Sequence, residues 1–418
     1  MTILNNDQIS TNDKRKYALD LIEEAIKKFS PENVMSKKFD MDISKYDKIY
    51  VIGFGKAAFK MYTGIREKIH NKIKYAGIIV PEDEVDSNKF SELEILKGSH
   101  PFISQISVDS SIKLMSNIEG LHENDLVIVL ISGGGSALFE IPENNISVDN
   151  IMEISKEIMN NGGNIYDLNI IRSGISRVKN GKMAKYLYPA RVVSYIISDV
   201  FFDDMSIIAS GPLVKRKDEV DVKKIIQRYI KRDDLKIFAL NNYRPNTLDE
   251  KYYSNIQNNI VLNNRTFVDY IYKNMDGNSI CLGSNINGDI ENVSNDILEI
   301  LRKTYEIKNS AFWFVCGGET TVMVKGKGIG GRNEELVLKL FKKSQKNEHF
   351  LYLSFGTDGI DGLSPAAGGI VDNSTKIDNI DEYLQNNDSY HALMENGIIT
   401  TGRTGNNVSD IILGYYSR

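Results

Sequence analysis

The sequence predicts an α/β protein of two domains: a parallel sheet sandwiched by helices, then a mixed α/β domain. Three observations predict it. The 418 residues are roughly two to three times the length of a typical single domain. Short apolar runs such as residues 126–131 and 192–197 show no polar alternation, as in strands buried on both faces. These runs alternate with amphipathic segments and several open into glycine-rich loops, the rhythm of βαβ units.

The chain opens with a helix. Tyr17, Leu21, Ile22, Ala25, Ile26 and Phe29 recur at three- to four-residue spacing, with Ser10 or Thr11 as cap and Pro31 as the stop. A strand at 49–52 leads into Gly53-Phe54-Gly55-Lys56 and a helix from Ala57. A second strand, 76–80, is closed by Pro81. A helix near 107–115 precedes the strand 125–131, which runs into Ser132-Gly133-Gly134-Gly135-Ser136. Helices near 151–159 and 168–187, the latter basic, lead to the strand 192–197 and Ser198-Asp199. Residues 215–250 are charged and read as a helical bridge, so the domains are expected at 1–240 and 241–418. Beyond it, strands are expected at 279–282, 311–316, 320–324 and 350–355, with helices near 291–302 and 332–342.

Composition narrows the function. Hydrophobic residues at 41% and charged residues at 26% exclude a disordered chain. Fifty-one Lys and Arg against 56 Asp and Glu give a net charge of −5, which argues against nucleic acid as the main partner. Cys281 and Cys316 cannot build a disulfide framework or a Cys-rich zinc site. The five histidines (His70, His100, His122, His349, His391) are scattered, so a His-based metal centre is not expected and each reads as surface or core. The N-terminus lacks the basic start and apolar stretch of a signal peptide, and the apolar runs fall far short of the ~20 residues of a spanning helix. The expectation is a cytoplasmic chain with no membrane partner; a homodimer stays open.

Several loops could carry chemistry, with plain alternatives beside them. Gly53 to Ala58 fits G-x-G-x-x-A, with Glu82-Asp83 past the next strand, a weak dinucleotide fingerprint. Lys56 inside that turn points instead to a carboxylate or phosphate at the helix start, or to a tight turn with a surface lysine. Ser132 to Ser136 offers three successive glycines whose amides can converge on an anion, flanked by hydroxyls. Arg172, Arg177, Lys179 and Lys182 form a charge run; a solvated face is the better reading for Arg177 and Lys182. Asp199 follows a strand and suits proton or metal work, whereas Asp203 or Asp204 would cap a helix. In the second domain, Gly317-Gly318-Glu319-Thr320 and the Gly328-to-Gly331 loop precede Arg332, whose guanidinium suits carboxylate or phosphate. Asp358 and Asp361 sit among glycines and could hold Mg²⁺ through nucleotide phosphates, or make an Asx-type turn. Residues 404–410 close the set.

Taken in order, several of these stretches resemble a known family. They are Ser132-Gly-Gly-Gly-Ser-Ala137, Leu168-Asn-Ile-Ile-Arg172, Ser198-Asp-Val, Ile208-Ala-Ser-Gly-Pro212 and Gly317-Gly-Glu-Thr-Thr321. Gly331-Arg-Asn-Glu334, Gly356-Thr-Asp-Gly-Ile-Asp-Gly362, Asn387-Asp-Ser-Tyr390, and Thr404-Gly405 with Asn407, Val408 and Asp410 follow. From about residue 15 to the end, the chain is similar to the type II glycerate kinases, which join an N-terminal Rossmann-like α/β domain to a C-terminal MOFRL domain. The resemblance implies ATP-dependent phosphorylation of D-glycerate, usually at the 2-hydroxyl, with Mg²⁺, in a cleft between the domains. It implies that Lys56, Asp199 and Arg332 contact glycerate and the moving phosphoryl group. It places Gly55, Ser132, Gly133, Gly134, Gly135, Ser136, Arg172 and Lys179 on the substrate- and phosphate-binding wall, and Glu319, Asp358, Asp361, Thr404 and Asn407 on the second-domain side. Mg²⁺ is expected near Asp358 or Asp361.

The chain also departs from that family. Gly-His-Pro-x-Pro-Asp appears as Gly98-Ser-His-Pro101-Phe-Ile-Ser104, Pro-Gly after Ser-Asp-Val as Phe201-Phe202, a histidine as Gly174, and a proline as Arg403. Two rivals remain at this level. A nicotinamide-dependent hydroxypyruvate reductase uses the first loop and leaves the others idle; a non-catalytic nucleotide or sugar-phosphate sensor uses the anion loops alone.

Overall fold

The computed structural model describes residues 2–83, 90–217 and 220–418, apart from the side chain of Phe201. By their contacts the described residues fall into two units: one running Val34–Val261, the other combining the residues up to Asn33 with Leu262–Arg418. This division differs from the expected 1–240 and 241–418. The opening helix, Asp13–Lys28, is the reason. It buries Ala18, Leu19, Ile22 and Ala25, and its Arg15, 2% exposed, pairs with Asp372 at 2.8 Å in the second unit's sheet. The cap of this helix is Asn12, which accepts the Arg15 N–H, rather than Ser10 or Thr11.

The unit Val34–Val261 is built on a six-stranded sheet. Its strands are β1 (Ile49–Phe54), β2 (Ile73–Pro81), β3 (Leu93–Gly98), β4 (Leu126–Ile131), β5 (Arg191–Ile197) and β6 (Ile256–Leu262), in the order β3-β2-β1-β4-β5-β6. The pairings β1·β2, β2·β3, β1·β4 and β4·β5 are parallel. Every residue of β1 and β4 is buried, as strands with helices on both faces must be. The order reverses between β1 and β4, and in open parallel sheets the crevice beyond that reversal is where ligands bind. β3 and β6 were not expected. β3 carries Glu94 and Lys97 at the sheet edge, and β6 carries Gln257, Asn258 and Asn259, all poor strand signals. The basic helix expected over 168–187 is two helices, Ile165–Gly174 and Ala184–Leu187. The chain turns between them because Asn180 and Gly181 take positive φ.

The second unit carries a mixed sheet, ordered β12-β11-β10-β13-β9-β7. Its strands are β7 (Ser279–Cys281), β8 (Ile286–Asp289), β9 (Phe312–Thr321), β10 (His349–Gly356), β11 (Gly368–Asp372), β12 (Ile398–Ile399) and β13 (Asp410–Ser417). β7 and β8 both pair β9 in parallel, whereas the β9·β13, β13·β10, β10·β11 and β11·β12 pairings are antiparallel. The strands expected at 311–316 and 320–324 are one strand, β9, which runs straight through Gly317-Gly318. A Cβ on Gly318 would lie 1.8 Å from the carbonyl oxygen of Ile286 on β8, and one on Gly317 2.0 Å from Asn264 Oδ1. Gly318 permits close approach of the β8 backbone and Gly317 that of the Asn264 side chain, rather than the two forming a loop.

Candidate active site

The loops after β1 and β4 meet at the strand-order reversal. Gly55 takes φ +123°, and a Cβ there would sit 2.3 Å from Ser132 Oγ, so only glycine lets the loops touch. The Lys56 N–H donates to the Gly133 carbonyl at 3.0 Å and the Ala57 N–H to Ser132 Oγ at 2.9 Å. Gly134, at φ +84°, lies against two side chains: a Cβ built on it would be 3.0 Å from the His100 ring and 3.5 Å from Lys56 Cγ. Lys56, Gly55 and Ser132 to Gly135 are thus brought together as the sequence implied, with His100, exposed, beside them. The same bonds bear on the reductase. A dinucleotide fold directs the first amides of this helix at pyrophosphate; here the amides of Lys56 and Ala57 are spent on the neighbouring loop. Asp199, half-buried, follows β5 at the same carboxyl edge of the sheet.

Behind the glycine loop lies a buried charge cluster. Arg172 Nη2 and Lys179 Nζ both donate to the Ser136 carbonyl, at 2.8 and 2.9 Å, and Lys179 also reaches the Phe139 carbonyl at 3.1 Å. Glu140, 1% exposed, lies 3.4 Å from Arg172 and 3.5 Å from Lys179. Burial pushes the Lys179 ammonium down to about 8, against the pull of Glu140. Lys182, expected on a solvated face, is buried instead, bonded to the carbonyls of Ser176 and Arg244 and paired with Glu143. At Gly174, where the family has histidine, the Tyr243 ring occupies the space: a Cβ would meet it at 2.0 Å.

In the second unit Arg332 opens the helix Arg332–Lys343 and is held from two sides. Asp410, at the start of β13 and 3% exposed, takes its Nε at 2.6 Å and Nη2 at 3.0 Å, and Glu319 takes Nη1 at 2.8 Å. Asn333 Nδ2 bridges Asp410 and Asp361. The glycine-rich stretch before Arg332 is tethered: the N–H groups of Lys325 and Gly326 donate to Asn387 Oδ1, Lys327 to Asn386, and Ile329 to Asp388. Its amides serve the fold, and its product is the placement of Arg332. Asp361 has a similar duty. It is 1% exposed, with one oxygen taking the Asn333 N–H and the other the Glu334 N–H, so it caps the helix from a distant loop. Asp410, in the sequence only the last residue of the 404–410 stretch, is brought to Arg332 by the pairing of β13 with β9, a long-range contact with no local signal.

Two carboxylates were expected near Mg²⁺, and they differ. Asp361 does not fit a metal, because both of its oxygens are committed to the helix start. Asp358 is half-buried, its Oδ1 accepting the Ile360 N–H at 3.1 Å in an Asx-type turn. Thr404 donates to the Thr357 carbonyl and its N–H to that of Asp358, which locks the loop bearing the buried Asn407 onto this turn. Among the described residues no group of three or more His, Cys, Asp or Glu is arranged to hold a metal. Mg²⁺ keeps several waters and leans on phosphates, so Asp358 fits it only as one ligand beside a bound nucleotide.

Comparison with known proteins agrees with this geometry. A family profile described as a domain of unknown function, DUF4147, matches residues 17–238, and the MOFRL family profile matches residues 312–410. A glycerate 2-kinase of Picrophilus torridus is 51% identical over 418 residues, covering 99% of each chain. A D-glycerate 2-kinase of Thermotoga maritima is 32% identical over 96% of this chain and 98% of its own. The crystal structure of a glycerate kinase from Thermotoga maritima superposes with a TM-score of 0.84 at 30% identity, covering 96% of this chain and 98% of that one. No helix of the described residues is long and apolar enough to cross a membrane. With its profiles, its full-length relatives and its two sheets in agreement, the chain belongs to the MOFRL-containing glycerate kinase family.

Proposed function

We propose that this chain transfers the γ-phosphoryl group of ATP to D-glycerate, giving 2-phosphoglycerate and ADP in the cytoplasm. The observation that carries the reading is the loop pair at the strand-order reversal. Lys56 and a triple-glycine turn are locked together there, in a chain 51% identical to a glycerate 2-kinase. In the reaction the 2-hydroxyl oxygen bonds to the γ-phosphorus, the bond to the ADP oxygen breaks, and the hydroxyl proton leaves to a base. Asp199 is assigned as the group that orients this hydroxyl and takes its proton. Negative charge spreads over the moving phosphoryl group, so rate comes from positioning and cationic stabilisation. Lys56 and Arg332 supply the cations for the phosphoryl group and the glycerate carboxylate, the 132–136 loop receives nucleotide phosphates, and the second-unit loops serve the same reaction. Mg²⁺, when bound, would neutralise charge on the β- and γ-phosphates, with Asp358 as its protein partner.

The test is phosphorus NMR of the product from ATP, Mg²⁺ and D-glycerate. A 2-phosphoglycerate resonance with stoichiometric ADP is expected. A 3-phosphoglycerate resonance would overturn the assignment of the 2-hydroxyl, and rapid NADH oxidation by hydroxypyruvate without any phosphorylated product would overturn the kinase.

A further inference from the structure

Two cations stand behind the glycine loop, and their geometry separates them from groups that touch a ligand. Lys179 is 1% exposed and its ammonium is spent on the carbonyls of Ser136 and Phe139. Arg172, 11% exposed, donates to the same Ser136 carbonyl. The Ser136 hydroxyl is held from the same helix. Ser210 Oγ gives its single proton to Asn169 Oδ1 at 3.1 Å, so in the Ser136–Ser210 contact at 2.9 Å Ser136 is the donor. Asn169 and Arg172 lie three residues apart on the helix Ile165–Gly174 and so share one face. Both polar atoms of the Ser136 side are thereby fixed from behind, and the hydroxyl has no proton left for an anion.

We propose that Arg172 and Lys179 are positioning residues and not phosphate ligands: they fix the 132–136 loop by its Ser136 carbonyl, with Glu140 as their shared counter-ion. A free carbonyl oxygen at that position could turn toward the incoming phosphate and repel it; two cations hold it inward. Glu140, at 3.4 and 3.5 Å from them, offsets the repulsion between the two cations. The proposal rests on the kinase reading and on the loop's role in receiving nucleotide phosphates.

Steady-state kinetics with ATP and D-glycerate on wild type, R172M, K179M, R172M/K179M and K179R test it. Each single Met variant is expected to raise the KM for ATP tenfold or more while the KM for glycerate moves less than twofold. The double variant should be no more than threefold worse than the more impaired single, because holding the carbonyl takes both cations and the loss of either undoes the same restraint. K179R, which keeps both cations at the carbonyl, should stay within threefold of wild type. Multiplying effects in the double variant would mean two independent phosphate contacts and overturn the proposal, as would equal changes in both KM values or no change at all. If K179M does not fold, R172M and K179R decide on the same criteria. Wild-type protein that phosphorylates no glycerate would instead sink the kinase reading.

Discussion

Glu334, in the first turn of the helix led by Arg332, should make stability fall as pH rises. Its side chain is fully buried, accepting hydrogen bonds from the hydroxyls of Ser364 and Ser389, with no cation paired to it among the described residues. Burial first, then the neighbouring Asp361, push its carboxyl from the ordinary 4.5 up to about 8. The folded chain therefore holds a proton that the unfolded chain releases. Between these two values the unfolded state binds one proton fewer, so stability declines by about 1.4 kcal/mol per pH unit, or about 5 kcal/mol across the window. That contribution is fully present below pH 4.5 and is gone above pH 8. Glu334→Gln keeps the shape and carries no proton equilibrium. Urea titrations from pH 5 to pH 9 can follow the single tryptophan, Trp313, which lies on β9 in the same unit. Wild type should lose ground steadily to the variant as pH rises, and the variant should be the more stable above pH 8. Parallel stability curves would show that Glu334 is ionised in the fold and refute the reasoning.

Three further outcomes follow from single positions. Asp410→Asn removes the bidentate anchor of Arg332 and puts an amide donor against the guanidinium; it should cost about 2–4 kcal/mol in urea titrations. With Arg332 loosened, kcat should fall about 100-fold in an ADP-release assay. Gly55→Ala forces a Cβ to 2.3 Å from Ser132 Oγ at a φ of +123°, so a loss of at least about 2 kcal/mol and of most activity is expected in thermal melts and kinase assays. Gly174→Ala drives a methyl into the Tyr243 ring and should destabilise by about 1–3 kcal/mol, while Tyr243→Leu in the same chain restores part of it.

The first unit was legible because its strands are buried on both faces. Runs such as Leu-Val-Ile-Val-Leu-Ile in β4 declare themselves without periodicity, and the loops that follow them are glycine-rich because backbone meets backbone there. Part of what was hidden belongs to edges and to long-range pairing, and the interior strands β11 and β13 were missed as well. β3 and β6 are half-polar edge strands, and the attachment of the first 33 residues to the second sheet rests on Arg15 and Asp372, 357 positions apart. The glycines of the second unit were misleading for a physical reason. Gly317, Gly318, Gly328 and Gly331 all look like anion loops in one dimension, yet each is a place where another part of the chain comes within contact distance: the Asn264 side chain at Gly317, backbone at Gly318 and Gly328, and Asp361 at Gly331. Composition alone cannot distinguish a glycine that opens space for a phosphate from one that yields space to the protein. Lys56 and Arg332 are each a cation delivered by such a turn, whereas the ammonium of Lys179 ends on the carbonyls of Ser136 and Phe139. A glycine-rich loop with a basic residue therefore predicts an anion site only when the cation's own hydrogen bonds leave it a face toward solvent, and that is a property of burial, at 33% exposure for Arg332 against 1% for Lys179.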